Sequence, residues 1–397
     1  MAELAQKLPA DVDARRQHAV ELRRWLHRHP ELSFSEAETA ARVVSELEHL
    51  GIPYTYPGPG GGVIGRITTD PALPAIALRA ELDALPGSDH ADPAYRSIYS
   101  DRMHACGHDA HMTMVLGAAA MLAQNPPDGN VVFIFQPAEE RGGGSRVMID
   151  AGALEGVCAI FGGHVTHEWP TGKIMIRKGA MTAQSDRFYI TIRGKGGHGA
   201  RPHEAIDAVV IAALLITTLQ TLVSRQTNPV HPSVITVGKI EAGTAPNVIA
   251  ESARLEGTIR TTFPDTRDHI HKGIRRMVEA MGELHDAEIQ LELTQGYPPV
   301  INTDGEVELV RECVRSLYGQ DALRTSPHPS MGSEDFSYYL EHVPGAFFRF
   351  GARRPDWEPI PLHSPRFDID EGVLPIGAEF FDAIARAALR HYSAARP

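Results

Sequence analysis

The sequence predicts an α/β protein, in which a mainly parallel sheet is flanked by helices and interrupted by a smaller α+β domain. Helical patterns alternate with short apolar runs at both ends of the chain, which is typical of this class. Between residues 184 and 294 the order of elements changes, and the alternation resumes afterwards. A chain of 397 residues with 43% hydrophobic content has room for two domains. We therefore expect residues 1–183 and 295–397 to form the main domain and residues 184–294 an insertion.

The first elements of the main domain follow from local patterns. Residues 12–28 form the first predicted helix, and Ser35 with Glu38 forms a capping box for a second helix that ends at Gly51. Short, mainly apolar runs predict the buried strands of a parallel sheet, at Val63–Ile67, Ala75–Leu82, Val131–Phe135 and Ala159–Phe161. A helix, Met112–Leu122, separates the second and third of these strands.

The inserted segment has a different order of elements. Its predicted elements are a strand Arg187–Arg193, a helix Ala205–Leu222, strands Val234–Ile240 and Ile249–Thr261, a helix Asp265–Leu284 and a strand Glu288–Thr294. This β-α-β-β-α-β order is that of a ferredoxin-like unit. The main domain then resumes with Glu306–Tyr318, Phe347–Phe350 and Leu374–Tyr392.

Composition excludes several classes of partner and location. The formal charge of -12 and the pI of about 5.9 provide no basic face for nucleic acid. The N-terminal residues lack the apolar region of a signal peptide. The longest apolar run, Ala208–Leu222, is shorter than the ~20 residues that cross a bilayer, so we interpret it as a buried helix and expect no membrane partner. Cys106, Cys158 and Cys313 are odd in number and far apart, which favours a reducing cytoplasm over a disulfide framework.

The stretch RMHACGHDAH is unusually rich in possible metal ligands. Cys106 and His108 are two residues apart in a predicted loop before a helix, and thiolate with imidazole suits ions such as Zn²⁺. A buried cysteine beside ordinary histidines would explain the same letters. The stretch FQPAEE adds two adjacent carboxylates, Glu139 and Glu140, where a strand ends at a proline. Such a pair can divide its work, with one carboxylate holding a metal and the other moving protons, although a solvated acidic turn would look alike.

Two further histidines complete the candidate site. His164 ends an apolar run in GGHV, and His363 lies in the proline-flanked PLHSPRF. Ligands in open α/β sheets gather at the carboxyl ends of strands, so we expect these pieces to converge. The predicted ligands are Cys106, His108, Glu140, His164 and His363. Five side chains leave positions around two ions for shared ligands or water, and Glu139 is not consumed as a ligand, so it can take a proton from that water.

The insertion carries three more candidate residues. His198 lies among glycines in GKGGHGARPH, and Asn247 and Arg260 lie in GTAPNVIAESARLEGTIRT. Arginine can bind a carboxylate through two hydrogen bonds, and histidine can stabilise an oxyanion; a surface arginine and a turn histidine remain the plainer interpretations. Glycines in the same stretch spell G-x-G-x-x-G, the outline of a dinucleotide fingerprint, which leaves a dinucleotide-dependent oxidoreductase open as a much weaker alternative.

Eight motifs in order resemble one family over nearly the whole chain: RAELDALP, MHACGHDAH, FQPAEE, GHV, GKGGHGARPH, GTAPNVI with GTIRT, MGSEDFSYYL and LHSPRFDID. They are similar to the zinc-peptidase-type amidohydrolases, which include hippurate hydrolase, N-acyl-amino-acid amidohydrolases and auxin–amino acid conjugate hydrolases. The resemblance implies a catalytic domain with two divalent metal ions (Zn, Mn, Co or Ni) and an inserted lid or dimerisation domain.

The same resemblance implies individual roles. The family ligands fall on the five predicted residues and the general base falls on Glu139. Asn247 and Arg260 would bind the substrate carboxylate, with His198 catalytic and acting from its own or a partner subunit. Asp83 would orient a metal ligand from a second layer, with Glu334 and Asp335 hydrogen-bonded to ligating groups. The implied reaction is hydrolysis of N-acyl-L-amino acids by a cytoplasmic homodimer or higher homo-oligomer; the implied alternatives are an exopeptidase of the same family and a non-catalytic binding protein that keeps the fold.

Overall fold

A computed structural model describes residues 12–394 as two compact units. The first runs to Met181 and takes in Ile301–Pro327 and the chain from Asp335 onward, and the second comprises Thr182–Val300 and His328–Glu334. The sequence pattern had assigned His328–Glu334 to the main domain.

The helices of the first unit are α1 (Val12–Arg28), α2 (Ala37–His49), α3 (His108–Gln124), α4 (Gly144–Asp150), α7 (Asp304–Tyr318), α8 (Ser337–Leu340) and α9 (Val373–Ala394), numbered along the whole chain. Its strands are β1 (Tyr54–Thr55), β2 (Val63–Ile67), β3 (Ala75–Glu81), β4 (Leu85–Pro86), β5 (Arg102–Met103), β6 (Asn130–Gln136), β7 (Val157–Pro170), β8 (Ile174–Met175), β9 (Gly179–Ala180), β16 (Ile301–Asn302), β17 (Leu323–Arg324) and β18 (Gly345–Arg353).

The main sheet of the first unit has the order β1-β2-β6-β3-β7-β18-β8-β17. Its four central strands, β6, β3, β7 and β18, are mutually parallel, while β1, β2 and β8 join antiparallel. Apolar side chains such as Phe133, Phe161 and Phe348 are fully buried between this sheet and the helices. The predicted α/β class with a largely parallel sheet is therefore confirmed.

The second unit contains β10 (Gln184–Arg193), β11 (Gly197–His198), α5 (Ala208–Thr221), β12 (Ser233–Ala242), β13 (Val248–Ile249), β14 (Ser252–Thr261), α6 (Pro264–His285) and β15 (Glu288–Gln295). Its antiparallel sheet has the order β12-β14-β10-β15, which is the ferredoxin-like arrangement of the predicted elements. Helices α5 and α6 pack on this sheet through residues such as Leu215 and Ile274.

The apolar run of α5 predicts a buried helix, but only one side of α5 is buried. Ile211, Leu215 and Leu219 face the core, whereas Val209 and Val210 on the other side are 43% and 49% exposed. Ala208–Gln226 is long and apolar enough for a membrane span by length and composition alone, and 33% of it is buried. Because one side packs on a folded sheet, its apolar composition is explained in part by the core of this unit.

Helix α2 also begins differently from the prediction. Its N-cap is Glu36 rather than Ser35, and no side chain caps the helix, so the predicted capping box is wrong. The Glu36 carboxyl instead accepts a hydrogen bond from the main-chain amide of Ala138.

Candidate metal centre

Cys106 and His108 lie on either side of a glycine that allows close packing. Gly107 has a left-handed φ of +87°, and a Cβ built there would lie 2.2 Å from Cγ2 of Val165 on β7. His108 is the first residue of α3 rather than a loop residue. Its Nδ1 lies 2.8 Å from the main-chain oxygen of Asp83, so Nδ1 carries the proton that is donated. The buried Nε2 has no partner among the described residues and is left as a metal-binding atom.

The carboxylate pair follows the end of β6. Ala138 takes a left-handed φ of +50°, which breaks the alternation that would send adjacent side chains to opposite faces. Carboxylate oxygens of Glu139 and Glu140 and a ring nitrogen of His108 consequently lie within 4.8 Å of one another. Glu139 is 6% exposed and the side chain of Glu140 is 12% exposed, so the carboxylate pair is largely buried rather than solvated.

His164 lies within β7, not in a loop after a strand as its sequence context had suggested. Its Nδ1 donates to the main-chain oxygen of Val165 over 2.7 Å, and its Nε2 lies 3.3 Å from Sγ of Cys106. The backbone hydrogen bond again leaves Nε2 as the metal-binding atom.

His363 enters the site from a strained loop. Its φ is +67°, and its main-chain amide donates to the carbonyl of Ala105 over 2.7 Å. That bond holds the residue beside the Cys106 loop, with Nε2 3.4 Å from Oε1 of Glu140. The His363 side chain is 54% exposed, which places it at the open edge of the site.

The five predicted ligands form two trios that share one residue. Cys106, His108 and His164 form one group, and Cys106, Glu140 and His363 the other, each with ligand atoms within 4.8 Å. Thiolate, imidazole and carboxylate are the donors of zinc and related ions, so this set fits two divalent cations.

A third group, Glu81, His108 and His111, meets the same distance test but is already engaged. Nε2 of His111 accepts from the amide of Val165 at 2.9 Å, and its Nδ1 donates to Oε2 of Glu81 at 2.8 Å. Because both ring nitrogens have partners, His111 is not available as a ligand.

Neighbouring carboxylates act on the ionisable candidate ligands of the centre. Burial, together with the carboxylates of Glu140 and Glu139, raises the pKa of the Cys106 thiol well above its ordinary value. Burial alone would lower the pKa of His108, but the carboxylates of Asp83 and Glu81 outweigh it and raise it to about 10. The site therefore favours bound positive charge, as a metal centre requires.

Comparison with known proteins identifies the family. The profile of peptidase family M20/M25/M40 matches residues 77–387. The chain belongs to peptidase family M20.

Relatives of this M20 enzyme include hydrolases of amino-acid conjugates. It is 40% identical to the IAA-amino acid hydrolase ILR1-like 2 of Arabidopsis thaliana, over 92% of this chain and 84% of that protein. It is 37% identical to the N-acetyl-L-cysteine deacetylase of Bacillus subtilis, over 94% and 88% of the two chains. The YXEP protein of Bacillus subtilis, described as a dinuclear metal-binding peptidase of the M20 family, superposes with a TM-score of 0.84 at 33% identity, over 96% of this chain and 99% of that one. The resemblance is thus confirmed, and the chain is a metal-dependent amidohydrolase.

Behind the ligands, the M20 enzyme has a buried charge network that sequence analysis missed in part. Arg79 pairs with Glu81 and, at 2.7 Å, with Asp335, and all three are essentially buried. Asp335 also accepts from Gln136 and from the amide of Ser145. Its carboxylate does not hydrogen-bond a predicted ligand, so that prediction is wrong. The available signal was the presence of Arg79 and Glu81 inside an otherwise apolar strand. Glu334 belongs to the second unit, and its role stays a prediction.

The second unit brings His198 and Asn247 together but not Arg260. His198 pairs with Val248, next to Asn247, in a separate two-stranded sheet formed by β11 and β13. Arg260 pairs with Ser185 at the start of β10, eight residues before the end of that strand at Arg193. Since a strand rises about 3.3 Å per residue, Ser185, which lies opposite Arg260, is roughly 26 Å from Arg193 along β10. Arg260 is held by a 2.7 Å hydrogen bond to Ser333.

The glycine-rich stretch of this M20 enzyme does not open a helix. After Gly199 come a 3₁₀ turn at Pro202–Glu204 and then α5, whose N-cap is Asp207. A dinucleotide fingerprint requires the glycines to lead directly into a helix N-terminus. The oxidoreductase alternative therefore has no structural basis.

Proposed function

We propose that this enzyme hydrolyses the amide bond of N-acyl-L-amino acids or closely related amino-acid conjugates. The single observation that carries the proposal is the convergence of two ligand trios on Cys106 beside the carboxylate of Glu139. The names of the plant conjugate hydrolase and the bacterial deacetylase support this substrate class.

Cys106, His108 and His164 would hold one divalent ion, and Cys106, Glu140 and His363 the other. Bound ions supply Lewis-acid polarisation of the amide carbonyl and activation of water. Zinc, manganese, cobalt and nickel all suit these donors, since availability decides among them more than ligand type.

Glu139 is the proposed general base. It lies next to the candidate ligand Glu140 without belonging to either trio that shares Cys106, and it is buried. A positioned carboxylate of this kind can take a proton from a water molecule and pass it on. It would remove a proton from the attacking water and deliver it to the departing amine, so that one carboxylate serves both halves of the reaction.

Arg260 and Asn247 would bind the carboxylate of the amino acid, and His198 would donate to the oxyanion that develops on the acyl carbon. Within one second unit, Arg260 lies near the start of β10, about eight residues along that strand from Arg193, and His198 follows Arg193 in the separate sheet of β11 and β13. This separation supports contributions from two subunits to one substrate.

A homodimer through the inserted domain is therefore part of the proposal. The exposed apolar residues Val209, Val210 and Leu214 on α5 and Val234 and Ile240 on β12 support such a contact. A cytoplasmic location is consistent with Cys106, Cys158 and Cys313 all being unpaired thiols.

The decisive experiment compares Glu139→Gln with Glu140→Gln. Glu139→Gln should keep the wild-type metal content while hydrolysis falls by roughly two to four orders of magnitude. Glu140→Gln should lose metal as well as activity. Undiminished turnover by Glu139→Gln would rule out the assignment.

Substrate preference distinguishes the exopeptidase alternative from the proposed hydrolysis of N-acyl amino acids. Purified enzyme loaded with each of the four ions should be assayed on a matrix of acetyl, benzoyl and indole-acetyl amino acids beside unblocked dipeptides. Preference for acylated substrates supports the proposal, and preference for dipeptides supports the peptidase activity stated for the YXEP protein.

A further inference from the structure

The carboxyl of Glu36 reaches across the fold to the turn that carries the carboxylate pair. Glu36 is 1% exposed, and its Oε1 accepts a hydrogen bond of 2.9 Å from the main-chain amide of Ala138. These residues are 102 positions apart in sequence. As the N-cap of α2, Glu36 is placed to cap its own helix, yet it makes no side-chain cap bond there.

The amide that Glu36 holds belongs to a strained residue. Ala138 has a φ of +50° and is fully buried. Alanine populates this left-handed conformation roughly tenfold less than the right-handed one, because its Cβ crowds the following carbonyl oxygen. The conformation persists only where neighbouring groups hold it.

The loop that precedes α2, which carries both Phe34 and Glu36, contacts the turn at a second point. Phe34 itself has a φ of +63°, and its ring lies against Gly142, where a Cβ would come within 2.4 Å of it. The loop therefore contacts the turn on both sides of Glu139 and Glu140.

We propose that Glu36 is a positioning residue for the general base: it locks the Ala138 peptide in the left-handed conformation that turns Glu139 and Glu140 toward the same space. The proposal rests on the function proposed above for Glu139. Glu36 does not contact the reacting atoms and acts only through the backbone of the turn.

The Glu36 side chain serves as a hydrogen-bond acceptor, whether or not it is charged. Burial raises the pKa of the Glu36 carboxyl to about 7, and a neutral carboxyl keeps one accepting oxygen. Glutamine has the same length and the same accepting oxygen, so Glu36→Gln preserves the bond and Glu36→Ala removes it.

The experiment measures kcat, KM, metal content and hydrogen exchange of the peptide containing Ala138. Glu36→Ala should lower kcat roughly tenfold with KM and metal content little changed, and should speed exchange of the Ala138 amide. Glu36→Gln should keep most of the activity and protection. Glu38→Ala, an exposed residue two positions along the same helix, is the matched control and should match the wild type.

A rescue variant separates positioning from general damage. Glycine adopts the left-handed conformation without the alanine penalty, so Glu36→Ala combined with Ala138→Gly should recover part of the lost kcat. The proposal is overturned if Glu36→Ala leaves kcat unchanged, if Glu36→Gln is as impaired as Glu36→Ala, or if Ala138→Gly restores nothing. Should Glu36→Ala not fold, Glu36→Asp withdraws the carboxyl by one methylene and should show the same loss.

The exchange measurement keeps the two proposals distinct. If the wild type hydrolyses none of the acyl amino acids, the proposed function fails. The Ala138 amide in Glu36→Ala and Glu36→Gln still decides whether Glu36 holds the turn.

Discussion

The main-chain amide of Glu140 donates a hydrogen bond of 3.0 Å to Oδ2 of Asp83. The same oxygen accepts from the hydroxyl of Ser33 at 2.7 Å, and the main-chain oxygen of Asp83 accepts from Nδ1 of His108. Asp83 therefore contacts one candidate ligand from each trio, and the two groups are coupled through a residue that belongs to neither.

Replacing Asp83 should weaken metal binding more than it weakens folding. Asp83→Ala removes the acceptor for Glu140, and outer partners of this kind are worth about 10–100-fold in metal affinity. Competition with a coloured chelator measures the change. Ser33→Ala removes only one bond to Asp83 and should have a smaller effect. An unchanged affinity in Asp83→Ala would show that the bond to Glu140 does not orient it.

Glu81 should prove to be a structural acid and not a metal ligand. Its carboxylate is taken up by Arg79 and His111, so Glu81→Gln should keep the full metal content. The variant should lose roughly 1–3 kcal/mol of unfolding free energy, because a buried partner of Arg79 is no longer charged. Metal analysis and urea unfolding measure the two quantities, and loss of one ion per chain would contradict the assignment.

Arg79 should contribute strongly to the stability of the first unit. Arg79→Met leaves the buried carboxylates of Glu81 and Asp335 without their cation, and breaking such a group costs about 3–5 kcal/mol. Lys178→Met, which breaks an exposed 3.0 Å pair with Glu308, should cost below about 1 kcal/mol. Tryptophan fluorescence during urea unfolding follows this unit, and equal losses in the two variants would refute the argument.

Much of this molecule could be predicted from sequence because its signals are local. The apolar strands β2, β3 and β6 and the long helices α1 and α9 follow hydrophobic patterns that tertiary packing reinforces. The proximity of the five candidate ligands could be expected from their motifs, and their ligand atoms do come together in two groups of three; their role as ligands stays a prediction.

The parts that could not be predicted depend on contacts between distant residues. Ser35 and Glu38 satisfy the pattern of a capping box, but a buried contact between Glu36 and Ala138 decides how the helix begins. The hydrogen bonds of His111 to the amide of Val165 and to Glu81 likewise join residues that are far apart in sequence, and no local pattern indicates them. The left-handed Ala138 has no local signal, since alanine seldom takes that conformation.

Asp186 should make the second unit sensitive to acid. Burial alone would raise the pKa of this carboxyl, but hydrogen bonds from His271 and Arg267 outweigh it and lower the pKa from 3.8 to about 2. A carboxyl with a depressed pKa stabilises the fold above its unfolded value, and that contribution disappears as the pH falls from about 4 to about 2.

The prediction is tested by hydrogen exchange of β10 and α6 peptides between pH 2 and 6, corrected for intrinsic exchange rates. Wild-type protection should fall as the pH is lowered from about 4 to about 2. Asp186→Asn should be less protected at pH 6, because the charged acceptor of Arg267 and His271 is gone, and its protection should change less with acid. Asp268 is an exposed residue of α6, the helix that carries Arg267 and His271, and Asp268→Asn should behave like the wild type. A wild type and an Asp186→Asn variant with the same pH dependence would show that this carboxyl does not link protonation to the stability of the second unit.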